Sequence, residues 1–376
     1  MFYKNLLNFT RNCACWSANI RSPPLTTKFF KDFQKIYPAL VDKTITQYKD
    51  LERTSVKDYS KRMFEYFVDC KLPIHGEFLV FAYELLEDPD KLTDEKIHQA
   101  YVLACAMEAI QCNWAMQDDI YDNGETRAGK LAWHRLPDTS KMFVNDSLMF
   151  RGLINEMLRQ NIDKSVYPQI TDLFNEMHFE TEIGQYLDSM LASTRDFSKY
   201  TRENFDRITY FKGSCYGFIA PVNLALALCG KGTEENFQIV KHMCSDLGPF
   251  TQINNDYTEY LDCAGSTDYR YKSDFISGTC TWTAVKTLEN GSEAQKKVFK
   301  ECYGSSDPDK IRRVIEIYDA MNMEKLYKQE ETALYDSYLE KLRKLPADST
   351  PSPAVFKNIL EFYQNYIANT TKFYYV

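Results

Sequence analysis

The chain has 376 residues, 44% of them hydrophobic and 26% charged, and its formal net charge is −8. Its 14 glycines are about half the ordinary share of roughly 7%, and neither common glycine-rich phosphate motif occurs, which disfavours β-rich folds and glycine phosphate loops. The acidic balance argues against a nucleic-acid partner, and the longest nearly apolar run, Val222–Cys229, is far shorter than the ~20 residues of a membrane span.

The first 31 residues include five basic side chains and no acidic one, and the first acid is Asp32. Phenylalanine and leucine alternate with these basic residues, so the segment is either a disordered extension or a mitochondrial transit peptide. We therefore assign residues 1–35 to an N-terminal extension. The 11 cysteines form no CxxC pair and no cluster with the five histidines, which is typical of reduced thiols and disfavours a zinc site. The expected location is the cytoplasm, with the mitochondrion as the alternative.

From about residue 40 the pattern is helical. Thr93, followed by two acidic residues, predicts the N-cap of a helix that continues through the apolar stretch Tyr101–Ile110 toward residue 122. Pro221 lies inside an apolar run that follows Lys212, and indicates a kinked buried helix rather than a domain boundary.

Further start signals divide the C-terminal part of the chain. Ser292 and Gln295 have the spacing of a capping box, and Asp307 precedes a proline at the first position of a helix. The proline- and serine-rich linker Leu345–Pro353 separates the last two helices. We predict one all-α domain of ten or so helices over residues 36–376.

The sharpest feature is an acidic cluster in the spacing DDxxD, formed by Asp118, Asp119 and Asp122. On a helix, Asp118 and Asp122 lie one above the other at i and i+4. The preceding turns are apolar, and three carboxylates at the end of a buried helix repel one another unless cations neutralise them. Mg²⁺, a hard ion that prefers oxygen ligands, meets this need. A solvated acidic helix end is the alternative.

A second cluster follows another apolar helical stretch and contains Asn255, Asp256 and Glu259. Asn255 and Glu259 form an i, i+4 pair of oxygen ligands. Two such clusters on separate helices can face one another across a cavity and hold several Mg²⁺ ions that a diphosphate bridges. Together the clusters predict a metal-dependent site for diphosphate chemistry.

These clusters lie within blocks that resemble the farnesyl diphosphate synthases, a family of trans-isoprenyl diphosphate synthases. The similarity covers roughly residues 40–370, and its blocks are Glu108–Arg135, Thr181–Asp188, Tyr210–Pro221, Phe250–Asp262 and the segment from Lys272 to Trp282. The resemblance implies a single large helical bundle with a central cavity, and a homodimer. It also implies three Mg²⁺ per active site, with Mn²⁺ as a substitute, and a catalytic role for the first cluster.

In the family, one half of the site binds an allylic prenyl diphosphate through the metals and through basic residues. The matching basic positions are Arg127 after the first cluster, Lys212 in the proline-containing helix, and Lys272 after the second cluster. Gln185 and Asp188 match in the second block. The resemblance assigns these five residues to substrate binding.

Aromatic side chains are expected around the hydrocarbon part of the substrate. Trp114, one turn before Asp118, and Asn113 occupy positions that limit product length in the family, so the bulky Trp114 suggests a C10 or C15 pocket. Tyr216 and Phe218 either line the cavity, where π faces stabilise a cation, or fill the core. Ordinary core packing is also an alternative for Trp114.

The half of the site that holds isopentenyl diphosphate departs from the family. The family's paired arginines are Arg127 and Ala128 here, its loop GGKxNRG reads as Asp69–Gly76 without the arginine, and its basic tail is replaced by Lys372–Val376. Each charge-assisted contact to a diphosphate contributes on the order of 1.5–3 kcal/mol. Loss of these contacts should weaken isopentenyl diphosphate binding by several powers of ten.

This combination, with NDxxE in place of the second DDxxD, resembles the insect terpene synthases that arose from farnesyl diphosphate synthases. It implies a lyase that ionises farnesyl diphosphate to a sesquiterpene hydrocarbon or alcohol plus diphosphate. The first alternative is an isoprenyl diphosphate synthase that condenses isopentenyl diphosphate with an allylic diphosphate. The second is a catalytically silent subunit that pairs with an active synthase, against which the intact acidic clusters argue.

Overall fold

A computed structural model of the protein describes residues 28–47, 55–68, 73–121, 124–127, 130–139, 141–265 and 273–373. The transit-peptide interpretation depends mostly on residues 1–27, which lie outside these ranges. Asp122, Lys272 and Ala128, which the sequence analysis discusses, also lie outside them.

The described residues form sixteen α-helices, one π-helix, a two-stranded antiparallel ribbon and three short 3₁₀-helices, Pro89–Lys91, Trp133–Arg135 and Phe197–Lys199. The N-terminal elements are α1 Lys28–Thr46, α2 Val56–Val68, α3 Ile74–Leu86, α4 Asp94–Tyr121, β1 Thr126–Arg127, β2 Lys130–Leu131, α5 Phe143–Asn161 and α6 Tyr167–Thr194. The central elements are α7 Arg202–Thr209, the π-helix Tyr210–Ile219, α8 Ala220–Leu228, α9 Glu234–Cys244 and α10 Leu247–Ala264. The C-terminal elements are α11 Ser273–Ser277, α12 Trp282–Asn290, α13 Glu293–Cys302, α14 Pro308–Ala320, α15 Met323–Lys344 and α16 Pro353–Phe373.

The predicted all-α fold is confirmed, but the number of helices within the described part is larger than ten or so. Periodicity alone merges short neighbouring helices, and α12 and α13 are separated only by Gly291 and Ser292. The first helix also begins earlier than the predicted domain, because Phe29, Phe33 and Tyr37 form a buried stripe at i, i+4 spacing. The predicted boundary after residue 35 therefore falls inside α1.

The capping signals in the sequence are confirmed. The backbone N–H of Lys96 donates to the Thr93 hydroxyl at 3.3 Å at the start of α4. Ser292 and Gln295 form a capping box at the start of α13, and the Asp307 side chain caps α14. Side-chain acceptors satisfy N–H groups that the first turn of a helix leaves open.

The helix that carries Lys212 is the central helix of the fold. It runs without interruption through α7, the π-helix and α8, from Arg202 to Leu228, and returns to α-geometry with Pro221 in the first turn of α8. By length and composition this 27-residue helix could cross a membrane, but 78% of its most apolar window is buried inside the protein. Burial of this kind is expected of a core helix.

Two clusters of buried apolar side chains stabilise the fold. The larger is formed mainly by α1–α6, α8, α9 and α16, and the smaller by α7 and α10–α15. Three helices, α6, α10 and α15, contribute side chains to both clusters. On α6 the change from the larger to the smaller cluster falls between Met177 and Leu191, the stretch that carries Asp188, and on α10 it falls between Leu247 and Ile253, just before the second acidic cluster.

Candidate active site

The first acidic cluster lies at the C-terminal end of α4, and a short ribbon returns Arg127 to it. The backbone N–H of Gly124 donates to the Asp119 carbonyl at 2.7 Å, which turns the chain back after the helix. Arg127 Nε donates to both carboxylate oxygens of Asp119, at 2.8 and 2.9 Å, and Nη2 donates to Asp118 Oδ2 at 3.2 Å. One guanidinium thus pairs with two adjacent carboxylates and offsets part of their charge.

Burial and charge act in opposite directions on these two carboxyl groups. Burial by itself would raise the pKa of Asp118, but the positive charges of Lys212 and Arg127 outweigh it and hold the pKa below its ordinary value. Asp119 is 4% exposed, and its burial raises the pKa of its carboxyl more than Arg127 lowers it. Asp118 is therefore the more firmly ionised member of the pair.

Lys212 joins the first cluster to α6. Its Nζ donates to Asp118 Oδ1 at 3.1 Å and to Asp188 Oδ2 at 2.8 Å. Burial would lower the pKa of this ammonium group, but the two carboxylates raise the pKa above its ordinary value. Lys212 therefore stays charged at physiological pH, and α4, α6 and the π-helix meet at its ammonium group.

This contact depends on a close approach between α6 and the π-helix. A Cβ atom at Gly184 would lie 2.5 Å from the backbone nitrogen of Lys212, so only glycine allows the two backbones to come this close. Asp188 follows one turn later on α6 and thereby reaches the ammonium group. Gln185 is half-buried and donates to Ser189 Oγ at 3.1 Å.

The second cluster is on α10, and its three members have different surroundings. Asp256 is 2% exposed, and its oxygens accept from the backbone N–H of Trp282 and from Gln252 Nε2, each at 2.7 Å. Burial, and then the charge of Asp274, raise the pKa of Asp256 well above its ordinary value. Asn255 is exposed and Glu259 is half-buried. Asp256 therefore fastens α10 to the start of α12, and the other two are the accessible members.

A carboxyl group that the sequence analysis did not assign lies beside Glu259. The backbone N–H of Asp274 donates to Glu259 Oε1 at 3.1 Å. Burial, followed by the charge of Glu259, raises the pKa of the Asp274 carboxyl well above its ordinary value. In the sequence, a role for Asp274 is indicated only by its position two residues after Lys272. Its position against α10 depends on the fold.

Asp188 connects the two clusters electrostatically. In addition to burial, its charge raises the pKa of both Asp256 and Asp274, and the ammonium group of Lys212 lowers that of Asp274. Coulombic effects of this kind fall off with distance and are strongest in a buried region. The structure thus brings Asp118, Asp188 and Lys212 together and places the second cluster in the same electrostatic region.

The donor set suits Mg²⁺, but cations of the protein already neutralise part of it. Carboxylate and amide oxygens are the ligands that Mg²⁺ prefers. Among the residues that the structure describes, no three acidic, histidine or cysteine side chains converge to hold a metal. Arg127 and Lys212 contact the oxygens of Asp118 and Asp119 instead. An incoming metal would have to replace these contacts.

Aromatic and imidazole rings surround Trp114, which lies on α4 one turn before Asp118. The Trp114 ring stacks on His178 with centroids 5.9 Å apart, and its centroid is 5.1 Å from that of Tyr216. Burial lowers the pKa of His178 to about 4, so this imidazole is neutral at physiological pH. Phe218, by contrast, is 3% exposed and lies in the larger apolar cluster. Sequence reasoning missed His178, because nothing in its local pattern distinguishes it from a core residue.

Comparison with known proteins places this geometry in a family. A model of the polyprenyl synthetase family matches residues 59–321. The chain belongs to the polyprenyl synthetase family. Bifunctional chrysanthemol synthase from Tanacetum cinerariifolium is 31% identical over 363 residues, which cover 95% of this chain and 91% of that protein. Farnesyl pyrophosphate synthase 2 from Parthenium argentatum is 30% identical over 90% of this chain and 97% of its own length.

The fold itself matches solved structures. In T. brucei farnesyl diphosphate synthase complexed with risedronate, the alignment covers 89% of this chain and 98% of that one, with a TM-score of 0.78 and 23% identity. The helical fold predicted from the sequence is the fold of these structures.

The family result corrects part of the functional interpretation. An enzyme of prenyl diphosphate chemistry is confirmed. The farnesyl pyrophosphate synthases among the relatives favour the isoprenyl diphosphate synthase alternative over the terpene synthase interpretation, and a transferase over a lyase. The narrower likeness to insect terpene synthases is not shown, since both relatives named above are plant enzymes.

Proposed function

We propose that the protein ionises an allylic prenyl diphosphate at the Lys212 site and transfers the prenyl group to isopentenyl diphosphate. The observation that carries the proposal is the position of Lys212 between Asp118 and Asp188, with Arg127 on the same acidic cluster. Two fixed cations among carboxylates make a mixed-charge site, which suits a polyanion that binds together with divalent metal. The farnesyl pyrophosphate synthase relatives support the transfer step.

The proposed metal is Mg²⁺, and when bound it would stabilise negative charge on the departing diphosphate. The residues proposed to hold it are Asp118, Asp119, Asp122, Asn255, Asp256 and Glu259. Because the oxygens of Asp256 already accept two hydrogen bonds, we expect the accessible members of the second cluster, Asn255 and Glu259, to be the more direct ligands there.

The protein's own residues have separate roles in this proposal. Arg127, Lys212 and Lys272 bind the diphosphate and stabilise its charge as the carbon–oxygen bond breaks, with both electrons of that bond going to the leaving group. The double bond of isopentenyl diphosphate then supplies the electron pair of the new carbon–carbon bond, and the resulting cation loses a proton to the released diphosphate or to water. Asp188 positions the Lys212 ammonium group. The faces of Trp114 and Tyr216 border the hydrocarbon and exclude water from the cation.

A terpene synthase reaction is the second candidate, and the region of the second substrate favours it. His75 precedes Gly76 where the family loop has arginine before its last glycine. Its Nδ1 lies 3.8 Å from Glu108 Oε1, which also accepts from the Gly76 N–H at 2.7 Å. An imidazole beside a buried carboxylate offers a diphosphate less positive charge than a guanidinium does. Without a second substrate, the cation is captured by its own double bonds or by water.

One assay separates the candidates. The purified protein with Mg²⁺ is given farnesyl diphosphate alone, geranyl diphosphate alone, or dimethylallyl with isopentenyl diphosphate, and products are identified by mass spectrometry. A longer diphosphate formed only with isopentenyl diphosphate supports the proposal. A hydrocarbon or alcohol from farnesyl diphosphate alone would replace it with the second candidate. No product from folded protein would favour the silent partner subunit.

A site variant shows whether any activity belongs to this site. Asp118→Ala removes a carboxylate that contacts both Arg127 and Lys212, so turnover should be lost. Asp309→Ala is the matched control, because Asp309 forms an exposed ion pair with Arg312 on α14. Equal activity of the Asp118 variant and the control would contradict the proposed site.

We also propose that two copies of the chain associate through α5 and α6. Leu148 on α5 and Phe179 and Tyr186 on α6 are 66%, 69% and 66% exposed, and the two helices contact one another. Large apolar side chains exposed on adjacent helices indicate a protein contact surface. Light scattering after size exclusion should give a dimer mass, and Phe179→Glu with Tyr186→Glu should give a monomer. A monomeric wild-type protein at micromolar concentration would contradict the dimer.

A further inference from the structure

Asp146 on α5 is a fully buried carboxyl group outside the site described above. It is 0% exposed. Its Oδ2 accepts from the indole Nε1 of Trp133 and from the hydroxyl of Tyr59, each at 2.8 Å. These donors come from different parts of the chain, since Tyr59 is on α2 and Trp133 lies just after β2. Asp146 thus joins three separate segments at one oxygen atom.

One of these segments carries Arg127. Arg127 is in β1 and pairs with Lys130 in β2, and Trp133 follows β2 by two residues. Trp133 is 0% exposed, so its indole ring fixes the end of the ribbon in the core. The ribbon has a second attachment, because the Tyr66 hydroxyl donates to the Leu131 carbonyl at 2.6 Å.

The side chain of Arg62 packs against the two aromatic rings that donate to Asp146. The guanidinium of Arg62 lies 5.4 Å from the ring centroid of Tyr59 and 5.2 Å from that of Trp133. Cations at this distance are attracted to aromatic faces. Arg62 also forms an ion pair of 2.7 Å with Asp138, later in the same connection. The segment that follows the ribbon, from Trp133 to Asp138, therefore contacts both α2 and α5.

A carboxyl group is energetically unfavourable at this buried position. Its Oδ1 has no hydrogen-bond partner among the described residues, and burial of such an oxygen opposes folding. A protein is often as stable when apolar side chains of similar volume replace its buried ionic groups. The benefit must therefore lie in the direction that the two hydrogen bonds give to Trp133.

We infer that Asp146 is a positioning residue for Arg127: it holds the ribbon so that the guanidinium reaches Asp119 and Asp118. Arg127 has four rotatable bonds, and a fixed backbone position reduces the conformational freedom that must be lost to form its contacts at 2.8 to 3.2 Å. The inference rests on the proposed function, because it takes Arg127 as a diphosphate-binding residue.

A double-mutant cycle tests the inference by binding rather than by turnover. The affinity for inorganic pyrophosphate with Mg²⁺ is measured by calorimetry for the wild type, Asp146→Leu, Arg127→Ala and the double variant. Arg127→Ala should weaken binding about tenfold to a hundredfold, and Asp146→Leu about tenfold. In the Arg127→Ala background, Asp146→Leu should have no further effect, because coupled residues are not additive.

Two further variants make the cycle specific. Asp146→Asn keeps an oxygen that can accept from both donors, so it should restore most of the affinity. Glu330→Met removes a half-buried carboxylate that contacts Arg202 and Lys286, and any effect it has should add to that of Arg127→Ala. If Asp146→Leu does not fold, Trp133→Phe takes its place, because it removes the indole donor and keeps an aromatic ring.

The outcomes distinguish the inference from the proposed function. A wild type that does not bind pyrophosphate with Mg²⁺ would overturn both. Tight binding by the wild type, weakened by Arg127→Ala, with unchanged affinity in folded Asp146→Leu would overturn the inference alone. Losses that add in the double variant would also overturn it, because Asp146 would then act on stability and not through Arg127.

Discussion

The ammonium group of Lys212 donates a hydrogen bond of 2.8 Å to Oδ2 of Asp188. The lysine is on the π-helix and the aspartate is on α6, and a second bond of 3.1 Å joins the same ammonium group to Asp118 on α4. In this state two cations of the protein, Arg127 and Lys212, pair with three carboxylates of the site. The same cations and carboxylates would exchange partners when a metal and a diphosphate bind.

The first prediction concerns Lys212 itself. Lys212→Met keeps much of the side-chain volume but removes the charge, so the leaving diphosphate loses one stabilising cation. We expect kcat/KM to fall by about 10²-fold or more. Steady-state kinetics with the allylic substrate measure this. Lys328→Met is the control, since Lys328 forms an exposed ion pair with Glu324 on α15, and equal losses in both variants would contradict the assigned role.

The second prediction concerns metal binding in the absence of substrate. Because Arg127 and Lys212 occupy the oxygens of Asp118 and Asp119, Mg²⁺ alone should bind weakly, and pyrophosphate should tighten it by about tenfold or more. Lys212→Met should bind Mg²⁺ alone more tightly than the wild type, although it binds pyrophosphate less well. Isothermal titration calorimetry measures both. Weaker binding of Mg²⁺ alone by the variant would show that Lys212 does not compete with the metal.

The third prediction concerns the close approach of α6 to the π-helix. Gly184→Ala places a methyl group against the Lys212 backbone, so it should lower the free energy of unfolding by about 1–3 kcal/mol and raise KM. Gly152→Ala on α5 is the matched control, because a Cβ there meets nothing within 4 Å. That variant should stabilise the protein by about 0.5–1 kcal/mol. Urea denaturation measures both, and stabilisation by Gly184→Ala would be the contrary result.

The fourth prediction is a pH dependence that arises from His178. Burial lowers the pKa of His178 to about 4 in the folded protein, whereas an unfolded histidine has a pKa of about 6.5. The unfolded state therefore binds the proton more readily in this interval. The contribution to stability is complete above about pH 6.5 and is lost as the pH falls toward 4, at up to about 1.4 kcal/mol per pH unit.

Urea denaturation at pH 7, 6 and 5 tests this prediction. His178→Phe keeps an aromatic ring beside Trp114 and should reduce the loss of stability between pH 7 and pH 5. His98→Asn changes an exposed histidine and serves as the control. An unchanged pH dependence in His178→Phe, with the same midpoint shift as the wild type, would show that other groups are responsible.

Local sequence patterns were sufficient for the all-helical class and for several helix starts, although not for the number of helices. Capping at Thr93, Ser292 and Asp307 involves residues no more than three apart, so short-range geometry decides it. The acidic clusters could be recognised for the same reason, because the i, i+4 spacing on a helix is a local property. The family blocks then identified Arg127, Lys212 and Asp188 as a set, although not their contacts.

The sequence by itself thus determined the all-helical class, the positions of the acidic clusters and the cations near them. Only the tertiary structure decided that Arg127 and Lys212 contact Asp118 and Asp119, that Asp256 is fastened to the start of α12, and that Asp274 lies beside Glu259. The physical reason is the separation along the chain over which each interaction acts. Helix periodicity and capping act over a few residues, whereas charge pairing and burial depend on which distant segments the fold brings within a few ångströms.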